Sequence, residues 1–407
     1  MKKLLYFTLL LALGLVSCAR EQEADMPEEK PVEVIEEAEV LNPVFHATLE
    51  GSAASTKVYT DNLDVLWNAG DLISVFAQTS VNKQYRFTGV TGDSSGDFEY
   101  VFDGSGAASA LAQNYAIFPY DADNSAESEN VLRTILHSQQ TYRADSFGPK
   151  DNLMVAKSGT DNFNFRNVGA YLCIKLYGSG VSVHSVSLQG NNGETLAGPV
   201  EITLDGSGIP ALSFCGATPA LQEKNITLTA ASPVALGADA EHYTTFWMVV
   251  PPVTFTQGFT ITVVDSNGNV YEKSTSKNFT TERNTILSMA PFDVRTGSLG
   301  FGIYQTAGED FLYDKVSQQM NIYERDNGTS LEGWFRFLDI PSITVWELGP
   351  IPMSIAEGDT FAATLTKYVS GEQEGDAHNF DLMYTQSYSN GILNLVSRDG
   401  YRFILRF

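Results

Sequence analysis

Basic residues are scarce in this chain of 407: 25 lysines and arginines stand against 49 aspartates and glutamates, a formal charge of −24. A surface that acidic repels the phosphate backbone and excludes nucleic acid as a partner. Histidine is scarcer still. His46, His137, His184, His242 and His378 are scattered, with no pair at ligand spacing and no cysteine beside them, which argues against a zinc site and leaves no cofactor expected. Long apolar runs are missing after residue 16, so no later segment could cross a bilayer as a helix. Sustained helical periodicity is missing as well; Asp310 to Met320 is the best stretch, and it is short.

Catalytic motifs fail in context. Gly92-Asp93-Ser94-Ser95-Gly96 fits the spacing that holds a nucleophilic serine on a strand-to-helix turn, but Phe87 to Val90 precedes it and Phe98 to Phe102 follows it as strands, so it reads as a hairpin loop. Asp121 to Glu127 has the acidic spacing of a calcium loop, yet it lacks the glycine at the sixth position and carries Leu132 where a bidentate glutamate belongs. The chain therefore reads as a non-enzyme.

What is present begins with an export signal. Met1-Lys2-Lys3 leads into the apolar stretch Leu4 to Val16, too short to span a membrane. Leu15-Val16-Ser17-Cys18 resembles the lipobox of bacterial lipoproteins, which implies cleavage between Ser17 and Cys18 and acylation, including palmitate, on Cys18. Several acyl chains on one cysteine, each methylene contributing about 0.8 kcal/mol, anchor a protein stably without a transmembrane helix. The run behind Cys18, from Ala19 to Lys30 and on through Glu33, Glu36, Glu37 and Glu39, has no aromatic before Phe45 and reads as a disordered acidic tether. With Cys18 acylated, Cys173 and Cys215 remain, either as a disulfide, which would contribute about 4 kcal/mol in the chain-entropy model, or as two half-buried thiols.

The body is patterned for strands. Phe259 to Val263 alternates apolar and polar residues, and Asn267-Gly268 then marks a tight turn before Val270-Tyr271. In the last segment Tyr401, Phe403, Leu405 and Phe407 fall on one face, and Arg402, Ile404 and Arg406 on the other. The expected class is all-β, with stacked sandwiches and at most short helices in connections. A leader (1–17), a tether (18–43) and three β modules (44–165, 166–296 and 297–407) follow, with Pro291 to Gly300 as a linker before the third.

Val44 to Ala47, Thr56-Lys57-Val58 and Val65-Leu66-Trp67-Asn68-Ala69-Gly70-Asp71-Leu72-Ile73-Ser74-Val75 resemble, in that order, the opening of fimbrillin-like proteins, the type V pilins of Gram-negative anaerobes. Tyr115 to Tyr120, Asn152 to Ala156, Phe165-Arg166-Asn167, Tyr171 to Ile174, Leu196-Ala197-Gly198 and Arg283 to Ile286 continue the likeness through about residue 295. Read from the residues alone, Trp67 before the Gly70-Asp71 turn and Phe118-Pro119-Tyr120 plug a core and stop edge pairing.

The resemblance implies tandem β-sandwiches of transthyretin-like, Greek-key type on the outer membrane or in a fimbrium at the cell surface. It also implies assembly by strand exchange with other fimbrial subunits, in which a protease removes the first strand and a strand of another subunit takes its place. Lys57, before Val58, is the basic residue at the expected cut; it reads equally as a solvated loop lysine. The third module, which a stalk subunit would not carry, points to an accessory or tip subunit or a surface adhesin contacting a host or bacterial protein or glycan. Trp334, Trp346, Tyr384 and Tyr388 are the candidate contact residues of that module, against the reading that such aromatics fill its core. The alternative function is glycan capture for nutrition through the same aromatics.

Overall fold

A computed structural model describes residues 42–50, 65–104, 108–215, 222–299, 302–305, 315–316, 319–326, 331–339, 344–352, 354–389 and 391–406. Among the described residues the regular elements are all strands apart from one 3-10 turn at Val294–Gly297, so the all-β expectation holds.

Seven strands close into a barrel: Phe45–Leu49, Asn162–Asn167, Met154–Ser158, Ala110–Phe118, Leu72–Thr79, Lys83–Phe87 and Ser95–Asp103, the last pairing back on the first. Closure removes every free edge from this sheet. The local causes are plain. Asn162–Asn167 alternates cleanly, sending Phe163 and Phe165 inward, and at the turn before Leu72 the Asp71 carboxylate accepts the Asn68 N–H at 2.8 Å. Gly70 takes φ +81° there, a left-handed conformation that favours glycine. Gly92 to Ser94 turn between two strands, and the Ser94 carbonyl accepts the Leu49 N–H, so the serine motif is a hairpin loop.

Behind the barrel lies a sandwich. Ala170–Tyr177 pairs with Thr244–Val250 and with Ile286–Ser288 and Phe292–Asp293. It faces a six-stranded sheet ordered Ser298–Leu299, Val270–Thr275, Phe259–Asp265, Ser182–Gly190, Asn225–Ala235 and Gln139–Thr141. Ala170–Tyr177 is buried on both faces because its alternation serves two cores: Leu172, Ile174 and Leu176 fill the sandwich, while Tyr171 and Cys173 join the barrel core.

Chain order and sheet membership part company between the barrel strands Ala110–Phe118 and Met154–Ser158. Ser125–Ser128 and Val131–Leu136 leave the barrel and pair onward with Gly198–Leu204 and Pro210–Phe214, and Gln139–Thr141 adds in parallel to Asn225–Ala235. That four-stranded sheet covers the outside of the barrel, where Leu132, Val200 and Ile202 pack on Phe76, Tyr115 and Ile117. Asn124, in the acidic stretch Asp121 to Glu127, is buried and bonds Ser74, Pro119 and Thr134.

The C-terminal strands form one ten-stranded antiparallel sheet whose end strands are Lys315–Val316 and Gln319–Asp326. Three peptide links separate Val316 from Gln319, at most about 11 Å of chain, so the sheet is rolled until its ends approach. Its inner face holds Phe335, Leu348, Leu365, Met383, Tyr401, Phe403 and Leu405. Arg402 and Ile404 point the other way, as their alternation requires, onto the six-stranded sheet of the sandwich. Residues 291–299 are not a free linker: Phe292–Asp293 and Ser298–Leu299 are both paired into the sandwich.

Candidate functional site

The first strand, Phe45–Leu49, lies in a seat between Ser95–Asp103 (antiparallel) and Asn162–Asn167 (parallel). Phe45, Ala47 and Leu49 turn inward, and His46 and Thr48 outward. The Phe45 ring stacks on Phe163 at 4.9 Å and meets Tyr85 edge-on at 5.3 Å. Below them Trp67, 1% exposed, is ringed by Phe98 (5.0 Å), Phe165 (5.3 Å), Phe118 (5.4 Å) and Phe87 (5.8 Å). Main-chain hydrogen bonds run to both walls: His46 N–H to Asp161 O at 2.9 Å, Leu49 N–H to Ser94 O at 3.2 Å and Glu50 N–H to Phe165 O at 2.9 Å. Outside, His46 Nδ1 sits 2.7 Å from Asp97 Oδ1.

The far end of the strand is held by charge. Arg283 reaches Glu50 with both terminal nitrogens, at 2.6 and 3.1 Å, and Arg166 adds a contact at 3.2 Å. The Asn167 N–H donates to the same carboxylate at 3.1 Å, and Arg283 also donates to the Asn167 carbonyl. Only 11% of the Glu50 side chain is exposed. Burial by itself would raise its pKa, but the Arg283 hydrogen bond and charge, the Asn167 N–H and the Arg166 charge outweigh it and hold the carboxyl below its ordinary value. Behind the clamp runs a buried chain of amides: Asn284 to Asn167 at 2.8 Å, Asn167 to Asn152 at 2.8 Å, and Asn152 to the Tyr171 hydroxyl at 3.2 Å. It joins the barrel to the sandwich.

Ser17, Cys18, Lys57 and Val58 lie outside the described residues. The four aromatics of the C-terminal module do not converge. Trp346 is in the core of the rolled sheet, with the Lys367 ammonium 5.5 Å from its ring centre. Trp334 is half-buried over Gly349, where an added Cβ would meet its indole at 2.5 Å. Tyr384 points away from the inner-face residue Met383, toward the sandwich, and donates to Glu223 at 2.8 Å; burial first, then that carboxylate, raises its pKa. Tyr388 is exposed, at 45%. The disulfide left open by the sequence is not formed. Cys173 is buried in the strand shared by barrel and sandwich, Cys215 follows Pro210–Phe214 in another sheet, and both are thiols.

Sequence reasoning passed over Glu50. Its signal is slight, an acid directly after an alternating apolar strand, and its partner Arg283 is 233 residues away.

No family model matches the chain, and no curated protein does. Among solved structures it is similar to a candidate cell adhesion protein from Bacteroides ovatus, at 16% identity over 63% of this chain and 93% of that one, with a TM-score of 0.38. A second such protein, from Bacteroides uniformis, is 16% identical over 63% of this chain and 94% of its own, TM-score 0.34. The tip fimbrial protein Mfa3 from Porphyromonas gingivalis, with C-terminal truncation, is 11% identical over 57% and 81%, TM-score 0.21. Its structural neighbours are thus candidate cell adhesion proteins and a fimbrial tip protein.

Proposed function

We propose that this protein is a non-enzymatic surface subunit of fimbrillin type, an accessory or tip subunit or an adhesin, anchored to the outer membrane through acylated Cys18. Residues 18–43 serve as the tether and 44–165, 166–296 and 297–407 as its modules. The observation that carries the reading is the seat of Phe45–Leu49: a short, alternating strand bonded through its main chain to both neighbours, with its aromatic plug in a pocket of rings. Such a seat is what β-augmentation needs, since main-chain bonds supply affinity and alternate side chains supply fit.

The C-terminal module supports an accessory or tip position over a stalk. It is fixed to the sandwich across a buried polar seam. Gln386, held by a hydrogen bond from Arg402 of its own sheet at 2.8 Å, donates to Ser187 and Thr227 at 2.9 and 3.0 Å, and at the exposed rim His184 lies 2.8 Å from Glu357. Arg402 also faces Glu272 at 3.8 Å; burial lowers its pKa to about 10 against that pull. The strand Tyr401–Arg406 is paired on both sides, with Gly302–Gln305 and Ile392–Ser397.

N-terminal analysis of the mature cell-surface form tests the proposal. Acylated Cys18 on an intact chain is the result expected of an anchored accessory subunit, and a free Val58 would establish processing for strand exchange. A soluble product still carrying an unmodified thiol at position 18 would refute the anchored reading.

A further inference from the structure

The clamp on Glu50 is more elaborate than a strand end requires. Three donors from two parts of the chain converge on one carboxylate: the Arg283 guanidinium, the Arg166 guanidinium and the Asn167 N–H. Arg283 comes from the sandwich and Arg166 and Asn167 from the barrel wall, so the site is assembled only when both are in place. The arginine side chains are 21% and 27% exposed. If the first strand leaves with Glu50, two half-buried guanidiniums and a backbone N–H lose their common acceptor. Stranding partly desolvated charges in this way is costly, and the cost falls on any occupant that fails to replace the acceptor.

Resting on the strand-exchange reading, in which the processed chain begins at Val58 and the anchor leaves with the first strand, we propose that this groove selects its incoming strand by a carboxylate. The occupant is an extended segment of a neighbouring subunit with an aromatic residue at the Phe45 position, a small one at Ala47, an apolar one at Leu49, and Asp or Glu directly after it. The aromatic pocket is made by Tyr85 and Phe163. The small residue is set by the fully buried Ala47 position, which lies opposite Gly96 and Phe163. Apolar alternation alone leaves register open, because a two-residue slip keeps the same side chains facing inward. The carboxylate closes that option: a slip of two residues carries it about 7 Å from the arginines. Charge therefore reads the register that hydrophobicity cannot.

The test is strand replacement in the full chain, nicked at a protease site inserted between residues 51 and 64. After release of the first strand in mild denaturant, a fluorescent synthetic peptide of residues 44–51 is titrated in, followed by the same peptide carrying Glu50→Gln or Glu50→Lys. The native peptide is expected to bind, Glu50→Gln to bind at least tenfold more weakly (about 1.4 kcal/mol), and Glu50→Lys more weakly still. In a chain carrying Arg283→Gln the gap between the native and Glu50→Gln peptides is expected to shrink to about threefold or less. Equal binding of all three peptides overturns the carboxylate key and leaves the exchange groove standing. If no peptide binds, the exchange reading itself fails, and the key fails with it.

Discussion

Removing the indole of Trp67 should unseat the first strand, although Trp67 does not belong to it. The ring is 1% exposed and touches four phenylalanines, two of which, Phe98 and Phe165, stand on the strands that wall the seat. Large aromatic to alanine changes in cores cost about 3–5 kcal/mol. The upper end applies here, because edge-on ring pairs add about 0.5–1.5 kcal/mol each beyond burial and Trp67 makes three of them. Trp67→Phe is a different perturbation. It retains most of the ring contacts and removes an indole N–H that finds no acceptor among the described residues, and burying such a donor costs about 1–3 kcal/mol. Trp67→Ala loses the same N–H, so the variants differ by ring contacts alone: Trp67→Phe should cost no more than about 2 kcal/mol, and Trp67→Ala about 2–3 kcal/mol more.

Urea unfolding at 25 °C followed by far-UV circular dichroism would measure both variants, with equal slopes required for the comparison. Amide exchange at His46, Leu49 and Glu50 should accelerate in Trp67→Ala and stay near wild type in Trp67→Phe. Equal losses in the two variants, or a Trp67→Ala cost below about 1.5 kcal/mol, would refute the view that this ring organises the seat.

The Glu50 clamp makes the seat acid-sensitive. A carboxyl held below its ordinary pKa of 4.5 contributes stability that is complete above that value and lost as pH falls through the folded-state value. Protection of the first-strand amides should therefore drop on acidification below about pH 4.5 and Glu50→Gln should abolish that step; identical acid profiles would contradict the clamp. In the C-terminal module, Trp346→Ala should cost about 3–5 kcal/mol by calorimetry or urea titration, as a core deletion. Tyr388 is 45% exposed, so Tyr388→Ala should cost clearly less than Trp346→Ala in the same titration, and it is the aromatic variant suited to surface-binding assays.

Much of the fold was legible because strand alternation is a local property. Asn162–Asn167 and Tyr401–Arg406 show their inner faces in any window of five residues, and the hairpin around Ser94 follows from glycines between two apolar runs. Which sheet a strand joins was not legible. Val131–Leu136 and Gln139–Thr141 look like their neighbours in sequence, yet they pair far along the chain, because pairing depends on which partner edge is presented. The aromatics of the C-terminal module were ambiguous for a related reason: composition does not say which face of a sheet is inside until the sheet has rolled.

The sequence by itself determined the β class, the net acidic charge and the alternation of the first strand. These are properties of neighbouring residues, fixed before any folding. Tertiary structure alone decided that Ala170–Tyr177 would serve two cores, that Cys173 and Cys215 would stay apart, and that Glu50 would meet Arg283 across 233 positions. Those outcomes rest on proximity in space, which no local pattern encodes.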